Sequence, residues 1–395
     1  MTVSDAEIAV VGAGLAGASA AHALTRRGAH VVLLEQFEPA GVWGASHGRA
    51  RIFRMAYRDP LYVHLAQVAL PLWRELEQET GVDVLTLTGA VDHGEPAALA
   101  GLVSFLRDAD EPCETITAAA ARQRWPGMTF DGDVLHHPHA GRLDAEAAVH
   151  AFLTAARACG AQVLTGTGVE RVQVQAEDDV RLHCAGGDVV RVRQVVVAAG
   201  GWTAGLLAGV PGLDLPRLRV TQEQPALFAP LEAPWPSFIH HRAAITGEPH
   251  HGIAVYGLGG TEGVKVGFHG TGREVDPAHR RRDAADIDPA ELDALTDYAR
   301  RWLPGVDVAR VRAQTCTYTS TVDDDFAIGR VGPVTVATGF SGHGFKFGPA
   351  IGHLVAGHVL GVPRTDGGTA VPSHVPAEVH AQAAARFSLT RIRPT

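Results

Sequence analysis

The sequence contains no run of about 18 apolar residues, so nothing in it is long enough to cross a bilayer as a helix. Its apolar stretch at 8–20 is broken by glycines and follows no positively charged region. That argues against a signal peptide and makes the cytoplasm the expected compartment. Positive charge is in short supply: 34 Lys+Arg stand against 43 Asp+Glu, a formal charge of -9. Nucleic acids and anionic membranes are bound through clustered cations, so neither is expected as a partner. The one basic run, Arg280-Arg281-Arg282, is flanked by Asp283 and Asp286 and reads as a solvated helix face. Cysteine is scarce as well. Cys113, Cys159, Cys184 and Cys316 show no C-x-x-C spacing, which excludes a disulfide framework or a zinc finger, and each alone reads as a small buried hydrophobe. The histidine clusters His136-His137-Pro138-His139, His240-His241 and His250-His251 lack the spacing of a zinc site, so no metal is expected. There is no internal repeat. There is also no nucleophile elbow, because Gly339-Phe340-Ser341-Gly342 is followed by His343 where G-x-S-x-G needs glycine.

What is present is an ordinary globular composition, 46% hydrophobic and 19% charged, in 395 residues. That length predicts two domains, or one with a large insertion. The pattern opens with a βαβ unit: an apolar strand at 7–11, a glycine turn at 12–17, an Ala-rich helix at 18–27 stopped by Gly28, and a second strand at 30–35. An amphipathic helix follows at 61–79, with Leu65, Val68, Leu72 and Leu76 on one face. From about 81 to 140 the pattern shifts to short strands and turns. A helix at 145–159, strands at 162–165 and 169–175, and the apolar run Gln194–Ala199 resume the α/β pattern. A continuous run of that kind suits a parallel strand covered on both faces. Antiparallel strands are expected at 216–275, a helix at 289–302, and a last strand, glycine turn and helix from 334 to 361, with 364–395 as a peripheral tail. One nucleotide-binding unit thus recurs in pieces, interleaved with a β-rich one.

Gly12-Ala13-Gly14-Leu15-Ala16-Gly17 follows a strand and opens a helix, and Glu35 closes the next strand. The glycines allow backbone to approach a pyrophosphate, the helix N-terminus offers free N–H groups, and Glu35 can accept ribose hydroxyls. Gln36, with no arginine beside it, argues against a 2′-phosphate and leaves NAD or FAD. A second glycine-rich turn, Gly339 to Lys346, leads into a helix and suits the negative N1–C2=O edge of a reduced flavin. Arg49, Arg51 and Arg54 enclose the apolar Ile52-Phe53, which speaks against a wholly exposed loop. Taken alone, Cys316 reads as core packing and Lys265 as a strand lysine facing solvent.

Together these motifs resemble the monomeric sarcosine oxidase family of flavoprotein amine oxidases, which includes N-methyltryptophan and pipecolate oxidases. The resemblance runs from about residue 5 to 362. It rests on the N-terminal glycine turn, S-H-G-x-x-R-I-x-R at 46–54, K-x-G-x-H at 265–269, C-x-Y-T at 316–319 and G-F-S-G-H-G-F-K-F at 339–347, in the family's order. It implies an α/β fold of mixed α+β character: a glutathione-reductase-type, Rossmann-like FAD-binding domain from 1–80, 141–215 and 312–365, interleaved with a mixed-sheet substrate domain from 81–140 and 216–311, and a tail at 366–395. It implies FAD as cofactor, faced by Gly12, Gly14, Gly17, Glu35, Ser46, His47, Arg51, Val169, Gly200, Gly342, Gly344 and Lys346, and joined through Cys316 by a thioether. Lys265 matches the lysine that activates O2. Arg54 and Lys346 match the pair that holds a substrate carboxylate, and Tyr318 and His269 match residues near the amine. Arg51 matches an arginine across the flavin, and Tyr256 a pocket tyrosine. The implied activity is oxidation of a secondary amino acid, N-methyl or cyclic, by a monomeric enzyme that releases H2O2. A flavin dehydrogenase using an acceptor other than O2, a biosynthetic flavin oxidase of a bulkier cyclic amine, an NAD-linked dehydrogenase and a non-catalytic flavin subunit are the alternatives. The chain departs from some relatives in having one His before Gly48 and extra residues in the pocket stretch 238–252, which leaves the substrate side chain open.

Overall fold

The computed structural model describes residues 6–232, 234–243, 252–279, 286–362 and 375–391. The Arg280-Arg281-Arg282 run, His250-His251 and residues 244–251 of the expected pocket stretch lie outside them.

Strands from the two ends and the middle of the chain collect in one six-stranded sheet. Its order is Ala327–Val331, Val334–Thr338, Gln194–Val197, Ile8–Val11, Val31–Leu34 and Gln162–Leu164. All neighbours are parallel except the first pair. Two cores explain why these strands lack polar alternation. Ile8, Val10, Val31 and Leu33 pack on the helices Leu15–Thr25, Ala145–Ala158 and Gly348–Leu360. Ala9, Val11, Val32 and Leu34 face the other way, onto Val172, Val180, Leu182 and Val190 of a three-stranded antiparallel meander. With both faces covered, Ile8–Val11 and Val31–Leu34 are apolar at every position.

An eight-stranded sheet forms the second body, ordered Val306–Ala313, Ala226–Pro230, Gly263–Phe268, Val255–Gly260, Ser237–His241, Ala90–Gly94, Val134–His137 and Glu114–Ile116. Its strands are antiparallel except for Ser237–His241 beside Ala90–Gly94. The helix Pro289–Trp302 covers it through Leu295, Tyr298 and Ala299. Two small sheets join the large ones. Arg51–Phe53 pairs with Gly141–Leu143, and Arg219–Glu223 pairs with Cys316–Ser320. The motif residues at 51–54 and 316–319 therefore sit where the two bodies meet.

The mixed α/β fold is the expected one. Three local expectations are corrected. The segment 81–140 holds two helices besides its strands, Pro96–Asp108 and Ala118–Arg124. In the first, Pro96 starts the helix and Ala98, Leu99, Leu102 and Leu106 make a buried stripe at helical spacing. The tail is not peripheral. The helix Ala377–Arg386 leads to Phe387, which is fully buried 4.9 Å from Phe326, and Arg391 meets Asp323 with two bonds of 2.8 and 2.9 Å. Finally, Cys159 is exposed, and only Cys184 and Cys316 are buried. It follows the last residue of an amphipathic helix, where the chain turns back toward the surface.

Candidate active site

The site begins at the turn between Ile8–Val11 and Leu15–Thr25. Gly12 has φ +99°, and a Cβ there would lie 2.6 Å from the Ala198 carbonyl oxygen; one on Gly17 would lie 1.9 Å from that of Gly12. Only glycine permits this backbone approach. No side chain caps the helix at Gly14. Nearby N–H groups are held by two side chains: Ala13 donates to Glu35 Oε2 at 2.6 Å and Leu15 to Ser46 Oγ at 3.1 Å. Glu35 Oε1 also accepts from the Phe37 N–H at 2.9 Å. Burial pushes the Glu35 carboxyl up, against these backbone bonds.

A cavity of about 580 Å³ runs from this turn toward the junction of the sheets. Gly12, Gly14, Glu35, Ser46, Arg51, Val169, Gly200, Cys316, Tyr318, Gly342 and Gly344 line it. Its glycine floor, the helix N-terminus that opens onto it and the carboxylate at one end fit a dinucleotide, and its volume suits a large ligand. Gly17 and His47 are not among the lining residues. Gly17 serves the tight packing of the turn, and His47 gives its carbonyl to Arg51 Nη2 at 2.8 Å.

Arg51 gathers the far end. Its Nη2 also donates to the Ala45 carbonyl at 2.7 Å and lies 3.7 Å from Cys316 Sγ, while Nη1 donates to the Ala50 carbonyl at 2.9 Å. Lys265 reaches the same Ala50 carbonyl at 3.4 Å. Lys265 is buried, contrary to the reading of a solvent-facing strand lysine, because both faces of Gly263–Phe268 are covered. Burial and the Arg51 charge lower its pKa to about 7. Burial raises the Tyr256 and Tyr318 hydroxyls above their usual range. Gly342, at φ +74°, is pressed against Tyr318, whose ring lies 2.1 Å from where a Cβ would stand.

The third group lies behind Tyr318. His269 contacts that ring at 5.6 Å, and its pKa falls to about 4 through burial and the charges of Arg54 and Lys346. Lys346 is buried and donates to the Tyr57 hydroxyl at 2.8 Å and to the His343 carbonyl at 2.6 Å. Burial, reinforced by Arg54, holds its pKa well below the usual lysine range. Its backbone is fixed by Trp73, whose Nε1–H donates to the Lys346 carbonyl at 2.8 Å from the long helix Pro60–Thr80. The Arg54 guanidinium lies over the Tyr57 ring at 4.9 Å. Lys265, Arg54, His269, Tyr256 and Lys346 do not line the cavity described above.

Sequence reasoning missed Tyr57, His343 and Asp92. Tyr57 is close to Arg54 in the chain, so its position was a signal; Asp92 was hidden in a short strand with nothing local to mark it. The parallel pairing of Ser237–His241 with Ala90–Gly94 also brings His93 and His240 together with Asp131, their ligating atoms within 4.8 Å of one another. The two rings are stacked 4.1 Å apart at 22°, so their lone pairs run side by side and do not converge on one ion.

Residues 7–357 match the DAO family, described as FAD dependent oxidoreductase. The chain is 34% identical over 365 residues to a monomeric sarcosine oxidase of Streptomyces avermitilis, covering 89% of this chain and 92% of the relative. It is 28% identical over 368 residues to an N-methyl-L-tryptophan oxidase of Yersinia pestis, covering 89% of this chain and 94% of the relative. Among solved structures, NikD, an unusual amino acid oxidase essential for nikkomycin biosynthesis, superposes with a TM-score of 0.80 at 23% identity, over 98% of this chain and 99% of that one. At that identity the likeness is one of fold.

Proposed function

We propose that this chain, which belongs to the DAO family of FAD dependent oxidoreductases, oxidises a secondary amino acid, N-methyl or cyclic, to an imine that water hydrolyses. The observation that carries the reading is the convergence of two cations, the partly buried Arg54 and the buried Lys346, over the Tyr57 ring at 4.9 and 5.3 Å, close enough to His269 that both depress its pKa. Such a pair is the chemistry that holds a carboxylate, and the names of the relatives favour an N-methyl amino acid.

FAD, when bound, supplies the two-electron acceptor and returns those electrons to O2 as H2O2. Segments 1–80, 141–215 and 312–365 would hold it, with Glu35 toward the ribose and the Gly12–Gly17 turn toward the pyrophosphate. Cys316, which lines the cavity beside Arg51, would carry the thioether. Segments 81–140 and 216–311 would build the substrate side. From the cofactor-binding segments, Arg54 would meet the carboxylate with parallel N–H bonds and Lys346 would add a point charge. His269, with its pKa near 4, is neutral at pH 7 and can accept a hydrogen bond from the amine. Tyr318 limits where the nitrogen can sit. Lys265, buried beside the Ala50 carbonyl, supplies positive charge where O2 would be reduced.

The test is H2O2 release from the purified protein across N-methyl, cyclic and primary amino acids and their decarboxylated amines. Secondary amino acids are expected to lead. Simple amines rivalling them would overturn the reading.

A further inference from the structure

Arg54 is held in an unequal way. Its Nη1 donates to the Ala56 carbonyl at 2.7 Å and lies 3.5 Å from Asp92 Oδ1. Its Nε and Nη2 have no hydrogen bond among the described residues. One nitrogen is committed to the protein, and two remain for a ligand.

Asp92 is itself built into the sheet. It lies in Ala90–Gly94 and has no exposed surface. Its register partners are Ile239 on one side and Leu135 on the other. Side chains two residues along a strand return to the same face, so His241 and His137 flank Asp92 in a row across three strands. His241 Nε2 lies 2.8 Å from Oδ1, and His137 Nε2 lies 3.1 Å from Oδ2. An ionised carboxylate only accepts, so each imidazole carries its proton on Nε2. Burial would raise the Asp92 pKa, but the bonds from His137 and His241 and the charge of Arg54 outweigh it and hold the carboxyl below the usual range. The result is a fixed anion at a depth where an unpaired charge is expensive to keep.

We infer that Asp92, locked by His137 and His241, is the positioning residue of the substrate site: it anchors Arg54 through Nη1 so that Nε and Nη2 are presented to a carboxylate. The inference rests on the reading of Arg54 as a carboxylate ligand. Asp92 does not touch the substrate. It removes rotamer freedom from a long side chain, so binding need not order it.

The experiment compares the best amino acid from the substrate screen with its methyl ester, which lacks the anion, on the flavin-loaded enzyme. The unmutated enzyme should prefer the acid strongly in kcat/KM. Absence of that preference would sink the clamp itself, before any variant is made. Given the preference, Asp92→Ala should reduce it roughly 10- to 100-fold by loosening Arg54, with the ester affected little. Asp92→Asn keeps an acceptor oxygen for Arg54 and should restore part of it; it also serves if the alanine variant fails to fold. Equal losses on acid and ester would mean a merely structural role. Tighter use of the acid in either variant would mean that Asp92 competes for Arg54. Either result overturns the inference, as does an unchanged preference in both variants.

Discussion

Lys346, itself buried, donates a 2.8 Å hydrogen bond to the hydroxyl of Tyr57, whose partly buried ring lies under Arg54. Burial and Arg54 both lower the lysine's pKa, so its charge is lost at a lower pH than usual as pH rises. Amino-acid KM should therefore rise toward alkaline pH. Tyr57→Phe removes an acceptor that favours the charged form and should move that rise to lower pH. Steady-state KM profiles of the two proteins check it; coincident profiles would detach Tyr57 from the clamp.

Removing either cation should weaken the carboxylate contact directly. A charge-assisted hydrogen bond contributes about 1.5–3 kcal/mol, so Arg54→Ala and Lys346→Ala should each weaken amino-acid binding roughly 10- to 150-fold. Neither should matter much for the decarboxylated amine. Flavin absorbance titrations under anaerobic conditions measure both.

Cys316 is buried, lines the cavity and lies 3.7 Å from Arg51 Nη2. Acid precipitation of the purified protein should leave yellow colour in the pellet, and Cys316→Ala should release it to the supernatant. Substitution of Cys113, Cys159 or Cys184 should not. An active enzyme whose flavin all stays soluble would disprove the linkage.

Lys265 shares the Ala50 carbonyl with Arg51 and titrates at about 7. Lys265→Met should slow reoxidation by O2 much more than reduction by substrate. Stopped-flow traces showing equal losses in both halves would remove it from oxygen chemistry.

His93 is buried with neither ring nitrogen hydrogen-bonded among the described residues, and burial lowers its pKa to about 3. The unfolded chain takes up this proton near pH 6.5 and the folded chain does not until about pH 3. Stability is thus complete above 6.5 and declines as pH falls toward 3. Between pH 7 and 5 this one residue should account for about 2 kcal/mol. His93→Phe, against the edge-on Phe130 ring, should keep stability at pH 7 and flatten that decline. Urea unfolding at the two pH values decides.

The fold was legible where chain periodicity and burial agree. The strand at 194–197 was identifiable because both of its faces are covered, and the turn at 12–17 because only glycine fits there. What escaped was set by partners distant in sequence. Lys265 looked like a surface lysine until the strands around it closed. Asp92 has no local signature, since its meaning comes from His137, His241 and Arg54 on three other segments. The tail reads as peripheral from its Pro, Ala, His and Gly content, while Phe387 has a socket waiting beside Phe326.

That socket reaches further than packing. Phe387 touches Phe326, Phe326 lies 4.9 Å from the His343 ring, and the His343 carbonyl holds Lys346. A chain stopped before residue 375 would keep every group proposed to meet a ligand, yet lose the wall behind one of them. Fragments chosen by motif content alone would therefore make poor catalysts, and directed evolution could tune the pocket by repacking the far end of the chain.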